Sequence, residues 1–189
     1  RSAIPQIAPG GPLYVVGDIH GRIDLLDELL SRIASADPET EATLVFAGDY
    51  VDRGMHSREV IARLRRLQVD RTTTTVCLRG NHEAMMLDFL DSPARCGPRW
   101  LRNGGIQTLQ SYGVAPPRSI GDSDPTELAA ARDALRSALT EGEEDWLRSL
   151  PLIWRSGNLA VVHAAADPRL PIDAQDEEVL LWARGAAFW

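Results

Sequence analysis

The sequence predicts an α/β fold with a largely parallel sheet, because buried-strand patterns alternate with amphipathic helices. Short apolar or β-branched runs occur at residues 13–17, 44–47 and 72–78. Apolar residues recur at helical spacing after the first two of these runs, at 23–33 and 60–67. Strands that alternate with helices in this way favour parallel pairing through crossover helices.

The rest of the chain predicts further helices and one more strand. Helical patterns occur at residues 83–90, about 106–112, 126–139 and 143–150. The section 91–121 is rich in Pro and Gly, and outside its one short helix we expect loops there. We interpret about 91–150 as a helical insert within a single domain that covers 1–189. The apolar run 159–162 predicts a buried strand just before His163.

Composition and charge exclude several classes of protein. The net charge is −7, from 20 Lys and Arg against 27 Asp and Glu. A protein that binds nucleic acid through its phosphates has the opposite balance, so we expect no nucleic-acid partner. No run approaches the roughly 20 apolar residues of a membrane span. The two cysteines, Cys77 and Cys96, lack metal-site spacing, and we expect reduced thiols in a cytoplasmic protein.

Each of the first three predicted strands is followed by a short polar motif. These motifs are GDIHG at 17–21, GDYVDRG at 48–54 and RGNHE at 79–83. The carboxyl ends of parallel strands meet at one edge of a sheet, where ligands bind. Asp, Asn and His side chains suit divalent ions such as Mn, Fe or Zn, and the glycines permit sharp turns and close backbone approach. The three motifs together predict a metal site at this edge.

The motifs GDIHG, GDYVDRG and RGNHE resemble the signatures of the phosphoprotein phosphatase family of calcineurin-like metallophosphoesterases, and the bacterial and bacteriophage branch in particular. The resemblance continues through WLRNGGIQTLQSYG at 100–113, the strand before His163, and LLWAR at 180–184. It implies an α/β fold (α+β in some schemes): a sandwich of β-sheets flanked by helices, with a helical insert.

The resemblance also implies a role for individual residues. Asp18 and His20 would bind one metal ion, Asp49 would bridge both ions, and Asn81 and His163 would bind the second ion. Four further residues would act on the substrate: His82 as general acid, Asp52 as its orienting partner, and Arg53 and Arg184 as phosphate ligands. The implied cofactors are two divalent ions, with manganese as first choice and Fe, Zn, Ni or Co as alternatives.

The expected function is hydrolysis of phosphate monoesters, with phosphoserine and phosphothreonine in proteins as first choice of substrate. A dinucleoside polyphosphate hydrolase is the alternative, and a non-catalytic binding module is the third choice. We expect a phosphorylated protein or a small phosphoester as the partner and no membrane association. Nothing in the sequence indicates an oligomeric state or decides between Ser/Thr and Tyr specificity.

Two departures from the family pattern bear on these expectations. His163 is followed by Ala164 and Ala165, where the family commonly has Ala-Gly, so we expect strain at Ala165 if its φ is positive. A further histidine ligand, in a Gly-His-Thr stretch after LLWAR, has no counterpart, and we expect a C-terminal segment to be missing from this chain. Two residues near the motifs are expected to be structural: His56 faces solvent, and Glu83 caps its helix.

Overall fold

The central element is a three-stranded parallel sheet in the order β1-β2-β3. The computed structural model describes residues 11–36, 41–70, 73–119 and 124–184. Within them, β1 is Leu13–Val16, β2 is Thr43–Phe46 and β3 is Thr74–Cys77. The middle strand β2 is the most buried of the three, as expected for a strand paired on both sides. The predicted parallel sheet is confirmed.

Three helices follow the three strands in turn. They are α1 (Ile23–Ala36), α2 (Ser57–Val69) and α3 (Asn81–Asp91). Helix α3 is almost wholly buried and begins at the third polar motif, so Asn81 and His82 occupy its first turn. The strand-to-helix turns therefore lie at the carboxyl edge of the sheet, and all three polar motifs occupy them.

A group of helices fills the segment between α3 and the second sheet. They are α4 (Pro93–Trp100), α5 (Ile106–Ser111), α6 (Pro125–Ala138) and α7 (Glu143–Ser149). A five-residue turn, Leu101–Gly105, joins α4 to α5 and contains Gly104 at a φ of 110°. Helix α4 was not predicted, and it places Cys96 in a helix where the sequence suggested a loop. Both cysteines are free.

A second, two-stranded sheet approaches the first one at the carboxyl edge. Strands β4 (Ile153–Ser156) and β5 (Leu159–Val162) pair antiparallel, and β4 was not predicted. His163 follows β5, and the N–H of Ala164 donates to the carbonyl of Leu180 in helix α8 (Glu177–Trp182). These contacts bring His163 and the 180–184 segment beside the polar motifs. Among the described residues, no helix combines the length and apolarity that a bilayer crossing requires.

Candidate metal centre and active site

The turns that carry the polar motifs hold four residues in an unfavourable backbone conformation. His20, Asp49, Asp52 and Arg53 have φ values of 45°, 58°, 73° and 65°. In the part of the chain that the structure describes, they are the only non-glycine residues with positive φ. Such conformations cost about 1–2 kcal/mol per residue and concentrate at functional sites. Ala165 is not among the four, so the strain expected there is absent.

The first two motif turns are bonded directly to each other. The N–H groups of Ile19 and His20 both donate to the carbonyl of Asp49, at 3.0 and 2.9 Å. Gly54 packs against the same turn: a Cβ atom on Gly54 would lie 2.1 Å from the carbonyl oxygen of His20. Only glycine allows this approach, which fixes the spacing between the motifs.

Glu83 organises the second and third turns from below. Its carboxylate is fully buried and accepts four backbone hydrogen bonds. Oε2 accepts from Gly80 and Asp49, at 2.9 and 2.8 Å, and Oε1 accepts from Tyr50 and Val51, at 2.8 and 3.2 Å. The bond to Gly80 is the helix cap expected of Glu83. The other three bonds, which hold the turn of Asp49, were not foreseen.

The first group of candidate ligands surrounds His20. Its Nδ1 lies 2.8 Å from the carbonyl of Val51, which can only accept, so Nδ1 carries the proton and Nε2 keeps its lone pair. Nε2 is buried without a hydrogen-bond partner and lies 3.6 Å from carboxylate oxygens of both Asp18 and Asp49. Burial lowers the pKa of His20, which keeps this lone pair free at neutral pH.

The second group surrounds His163 in the same way. Its Nδ1 donates to the carbonyl of Ala47 at 2.9 Å, so the Nε2 lone pair points into the site. Nε2 lies 3.0 Å from Oδ1 of Asn81 and 3.4 Å from Oδ1 of Asp49. All three are acceptors. With the amide of Asn81 reversed, its nitrogen would donate to these same atoms at 3.0–3.1 Å, so this position accommodates a cation in one orientation and metal-free neighbours in the other.

These residues fit a pair of divalent cations that share Asp49. One ligand atom each from Asp18, Asp49 and His163 lies within 4.8 Å of the others, and the same is true of His20, Asp49 and His82. Metal–ligand bonds of about 2.0–2.2 Å place neighbouring ligand atoms at about this separation. Burial, followed by the charge of Glu83, raises the pKa of Asp49 to about 7. A cation at this position would compete with that proton.

His82 has different partners from the other histidines, although it lies near His20. Its Nδ1 is 2.6 Å from Oδ2 of Asp52, and its Nε2 is 3.1 Å from Nη2 of Arg53. A guanidinium beside Nε2 disfavours a metal ion at that atom by charge repulsion. The ring packs edge-on against His20, with centroids 4.6 Å apart. His82 therefore belongs to a His–Asp pair beside the ligand groups.

Burial shifts both members of this pair toward their neutral forms. It lowers the pKa of His82 and raises the pKa of Asp52 to about 8, while hydrogen bonds from Thr108 and Trp100 oppose the latter shift. The pair therefore retains a proton up to about pH 8. That proton can reside on either residue because their atoms are 2.6 Å apart.

The ligand groups and two arginines line one open cleft of about 260 Å³. The cleft contains five of the predicted site residues beside the C-terminal segment: Asp18, Asp49, Arg53, Asn81 and His163. Arg184 lines its opposite side, next to Trp182. His20, His82 and Asp52 adjoin these residues through the contacts described above. The nine residues singled out in the sequence are thus brought to one site.

Two residues of this site were not identified from the sequence. Trp100 and Thr108 donate hydrogen bonds to the Asp52 carboxylate, at 3.0 and 2.7 Å. Both belong to the stretch WLRNGGIQTLQSYG, which was noted for its resemblance but had no assigned role. His56 is exposed and lies 3.8 Å from Glu59, as expected for a residue outside the site.

Comparisons with known proteins agree with this geometry. The family profile described as calcineurin-like phosphoesterase matches residues 11–184. A curated relative is a protein phosphatase 2A of Dictyostelium discoideum, whose catalytic chain is 42% identical over 77 residues. That alignment covers 40% of this chain and 23% of the relative, so the chain spans about a quarter of the relative's length.

Solved structures with similar folds include several phosphoesterases. A crystal structure described as a candidate diadenosine tetraphosphatase has a TM-score of 0.57 and 27% identity, covering 89% of this chain and 56% of that one. A protein serine/threonine phosphatase from Saccharomyces cerevisiae has a TM-score of 0.50 and 21% identity, covering 93% and 46%, and it shows a shared fold alone. The sequence, the sheet topology and the family profile agree: this chain belongs to the calcineurin-like phosphoesterase family.

Proposed function

We propose that this chain is the catalytic region of a metal-dependent phosphomonoesterase that acts on phosphoserine and phosphothreonine in proteins. The observation that carries the proposal is the His82–Asp52 pair, which lies beside two convergent groups of metal-binding atoms. Nε2 of His82 and Oδ2 of the shared Asp49 are 3.8 Å apart. An acid is needed when the leaving group is a basic alkoxide, as in serine and threonine esters.

Each predicted residue has one task in this proposal. Asp18 and His20 hold one cation, Asn81 and His163 hold the other, and Asp49 lies between them. Two bound divalent ions, with manganese as first choice, would supply an activated water and neutralise charge on the phosphate. The chain's own side chains bind the phosphate and deliver the proton.

Proton delivery is the task of His82. With Nδ1 directed at Asp52, Nε2 is the ring nitrogen that can reach a substrate. As the ester P–O bond breaks and a water oxygen bonds to phosphorus, Nε2 donates its proton to the leaving oxygen. Asp52 fixes the ring orientation and stabilises the positively charged ring before transfer.

Arg53 connects phosphate binding to this proton. In the absence of substrate its guanidinium lies 3.1 Å from Nε2 of His82, where the leaving oxygen would otherwise accept the proton. A phosphate dianion attracts the planar guanidinium fork and would draw it toward the cleft. Arg184, on the opposite side of the cleft, would contact the same phosphate.

A dinucleoside polyphosphate hydrolase is the second candidate. The similarity at 27% identity and a TM-score of 0.57 to a candidate diadenosine tetraphosphatase favours it. The intact Asp52–Arg53 and Asn81–His82 pairs support the protein phosphatase instead, because an acid matters less for a nucleotide leaving group than for an alkoxide. We also propose a cytoplasmic location, which the two free cysteines support.

The test compares substrates and two histidine variants. The protein is treated with EDTA, supplied with Mn²⁺, and assayed on a phosphoserine peptide and on diadenosine tetraphosphate. We expect the peptide to be the better substrate and His82→Ala to lower its turnover by about 10²–10⁴-fold. His56→Ala is the matched control, because His56 is exposed and paired only with Glu59. Preference for diadenosine tetraphosphate would select the second candidate, and absence of turnover with Mn²⁺ bound would favour a non-catalytic binding module.

A further inference from the structure

The buried Asp52 carboxylate depends on hydrogen bonds from outside the three motifs. It is fully buried, and besides His82 it accepts from two residues of the 100–108 segment. Nε1 of Trp100 lies 3.1 and 3.0 Å from its two oxygens, and Oγ1 of Thr108 lies 2.7 Å from Oδ1. A buried carboxylate that lacks such donors is costly and rotates toward other partners.

Thr108 holds the backbone of Asp52 as well as its side chain. The N–H of Asp52 donates to Oγ1 of Thr108 at 2.8 Å and to Oγ of Ser57 at 3.1 Å. Thr108 uses its single hydroxyl proton on Oδ1 of Asp52, so the 3.1 Å contact between the two hydroxyls is donated by Ser57. This one hydroxyl therefore fixes both ends of a residue whose φ is 73°.

Trp100 is fixed by close packing on both sides of its ring. Phe89 stacks on one face with centroids 4.7 Å apart, and a Cβ atom on Gly105 would lie 2.5 Å from the indole. The same turn also reaches the neighbouring residue, because the carbonyl of Gly104 accepts from the N–H of Arg53 at 3.2 Å. The indole N–H is therefore presented to Asp52 in one orientation.

We infer that Trp100 and Thr108 are positioning residues for proton donation: they orient the Asp52 carboxylate so that it holds Nδ1 of His82. This rests on the proposed general-acid role of His82. Neither residue touches the cleft, so their loss acts through Asp52 and His82 alone. The distinguishing consequence concerns the leaving group, because an acid matters more when the departing oxygen is more basic.

The experiment compares phenyl phosphate, whose phenol has a pKa of about 10, with p-nitrophenyl phosphate, whose leaving group is much more acidic. In Thr108→Val we expect kcat/KM for phenyl phosphate to fall about 10–100-fold, as for loss of an orienting hydrogen bond, with p-nitrophenyl phosphate reduced much less. Trp100→Phe, which keeps an aromatic ring on Phe89, is expected to show the same imbalance. Thr108→Ser keeps the hydroxyl and should remain close to the unmodified protein on both substrates.

Leu109→Val is the matched control, since Leu109 is fully buried on the same helix and has no hydrogen bond to Asp52. It should change both substrates by equal factors. Equal losses on both substrates in Thr108→Val and Trp100→Phe would overturn the inference. His82→Ala separates the two levels: a substrate-dependent loss there supports the general acid, and an equal loss removes both the acid and the positioning role. Absence of turnover in the unmodified protein would instead reject the proposed enzyme.

A second readout does not depend on turnover. In the metal-free protein labelled with ¹⁵N-histidine, the proton between His82 and Asp52 should give a low-field NMR signal that is missing in His82→Ala. We expect its exchange with solvent to be about tenfold faster in folded Thr108→Val and Trp100→Phe, a change typical of losing one hydrogen bond. Leu109→Val should leave it unaltered. A signal that is identical in the unmodified protein and both variants would contradict the inference.

Discussion

Glu83→Gln tests the most connected buried group of the site. The Glu83 carboxylate accepts four backbone N–H groups with two oxygens. Glutamine has the same shape but replaces one oxygen with an NH₂ group. Whichever oxygen is replaced, two backbone donors lose their acceptor and face another donor.

The expected magnitude follows from those two donors. An unsatisfied buried donor costs about 1–3 kcal/mol, so Glu83→Gln should lower the free energy of unfolding by about 2–6 kcal/mol. Stabilities of natural domains are about 5–15 kcal/mol, so the variant should be markedly weakened. The turn of Asp49 is anchored by the same bonds, so affinity for Mn²⁺ should fall as well.

Urea unfolding with EDTA present measures the first effect without any contribution from metal. The matched control is Glu28→Gln, which changes an exposed Glu28–Arg32 pair on α1 and should cost at most about 0.5 kcal/mol. A Glu83→Gln midpoint as close to the unmodified protein as that of Glu28→Gln would refute this reasoning. The slope of unfolding free energy against urea should be unchanged, because the same surface is exposed.

Two further predictions concern pH. Because burial raises the pKa of Asp49 to about 7 and a cation binds its deprotonated form, Mn²⁺ affinity measured by calorimetry should be about tenfold weaker at pH 6 than at pH 8. Equal affinities at both values would contradict this. Arg148 lowers the pKa of Asp91 through a hydrogen bond of 2.6 Å, so the pair stabilises the fold above the ordinary Asp value of about 3.9 and ceases to do so as pH falls through the lowered value. Asp91→Asn should therefore cost up to about 1 kcal/mol at pH 6 in thermal unfolding, and a cost that persists at pH 2 would exclude this cause.

The metal-binding side chains could be predicted because each follows a strand directly. Asp18, Asp49 and Asn81 come after three parallel strands, and strand ends of one sheet are necessarily neighbours. The sequence positions alone therefore imply their proximity. His163 required one more assumption, that a later strand approaches the same edge.

The supporting residues could not be predicted for a different physical reason. Trp100 and Thr108 lie 48 and 56 positions from Asp52, and no local pattern specifies that separation. Helix α4 was missed because Pro93, Gly97 and Pro98 read as loop signals. In the structure, Pro93 occupies the first turn, where proline is tolerated, and Gly97 lies where a Cβ atom would be 2.8 Å from the side chain of Leu128. Tertiary packing thus outweighed local propensity.

Strand β4 was missed because its pattern is too short to identify. Ile153–Ser156 contains two apolar residues, and its last two positions are Arg155 and Ser156. The strand exists because β5 pairs with all four of its residues. Pairing partners distant in sequence contribute this stability, and hydrophobic periodicity does not record it.

The positive φ angles imply that part of the fold's stability is given up to position the site, and Arg53 allows a direct test. At a φ of 65° a side chain costs about 1–2 kcal/mol, whereas glycine adopts this conformation freely. Arg53→Gly and Arg53→Ala both remove the guanidinium, so their difference reports the backbone alone. We expect the Gly variant to be more stable than the Ala variant by about 1 kcal/mol in urea unfolding. At Arg63, inside helix α2, the same pair of substitutions should have the opposite order, because alanine is favoured there by about 1 kcal/mol. If Ala is the more stable substitution at both positions, then the turn at Arg53 is not strained, and the stability given up at this site must be sought in the buried Asp52 and Asp49 carboxylates.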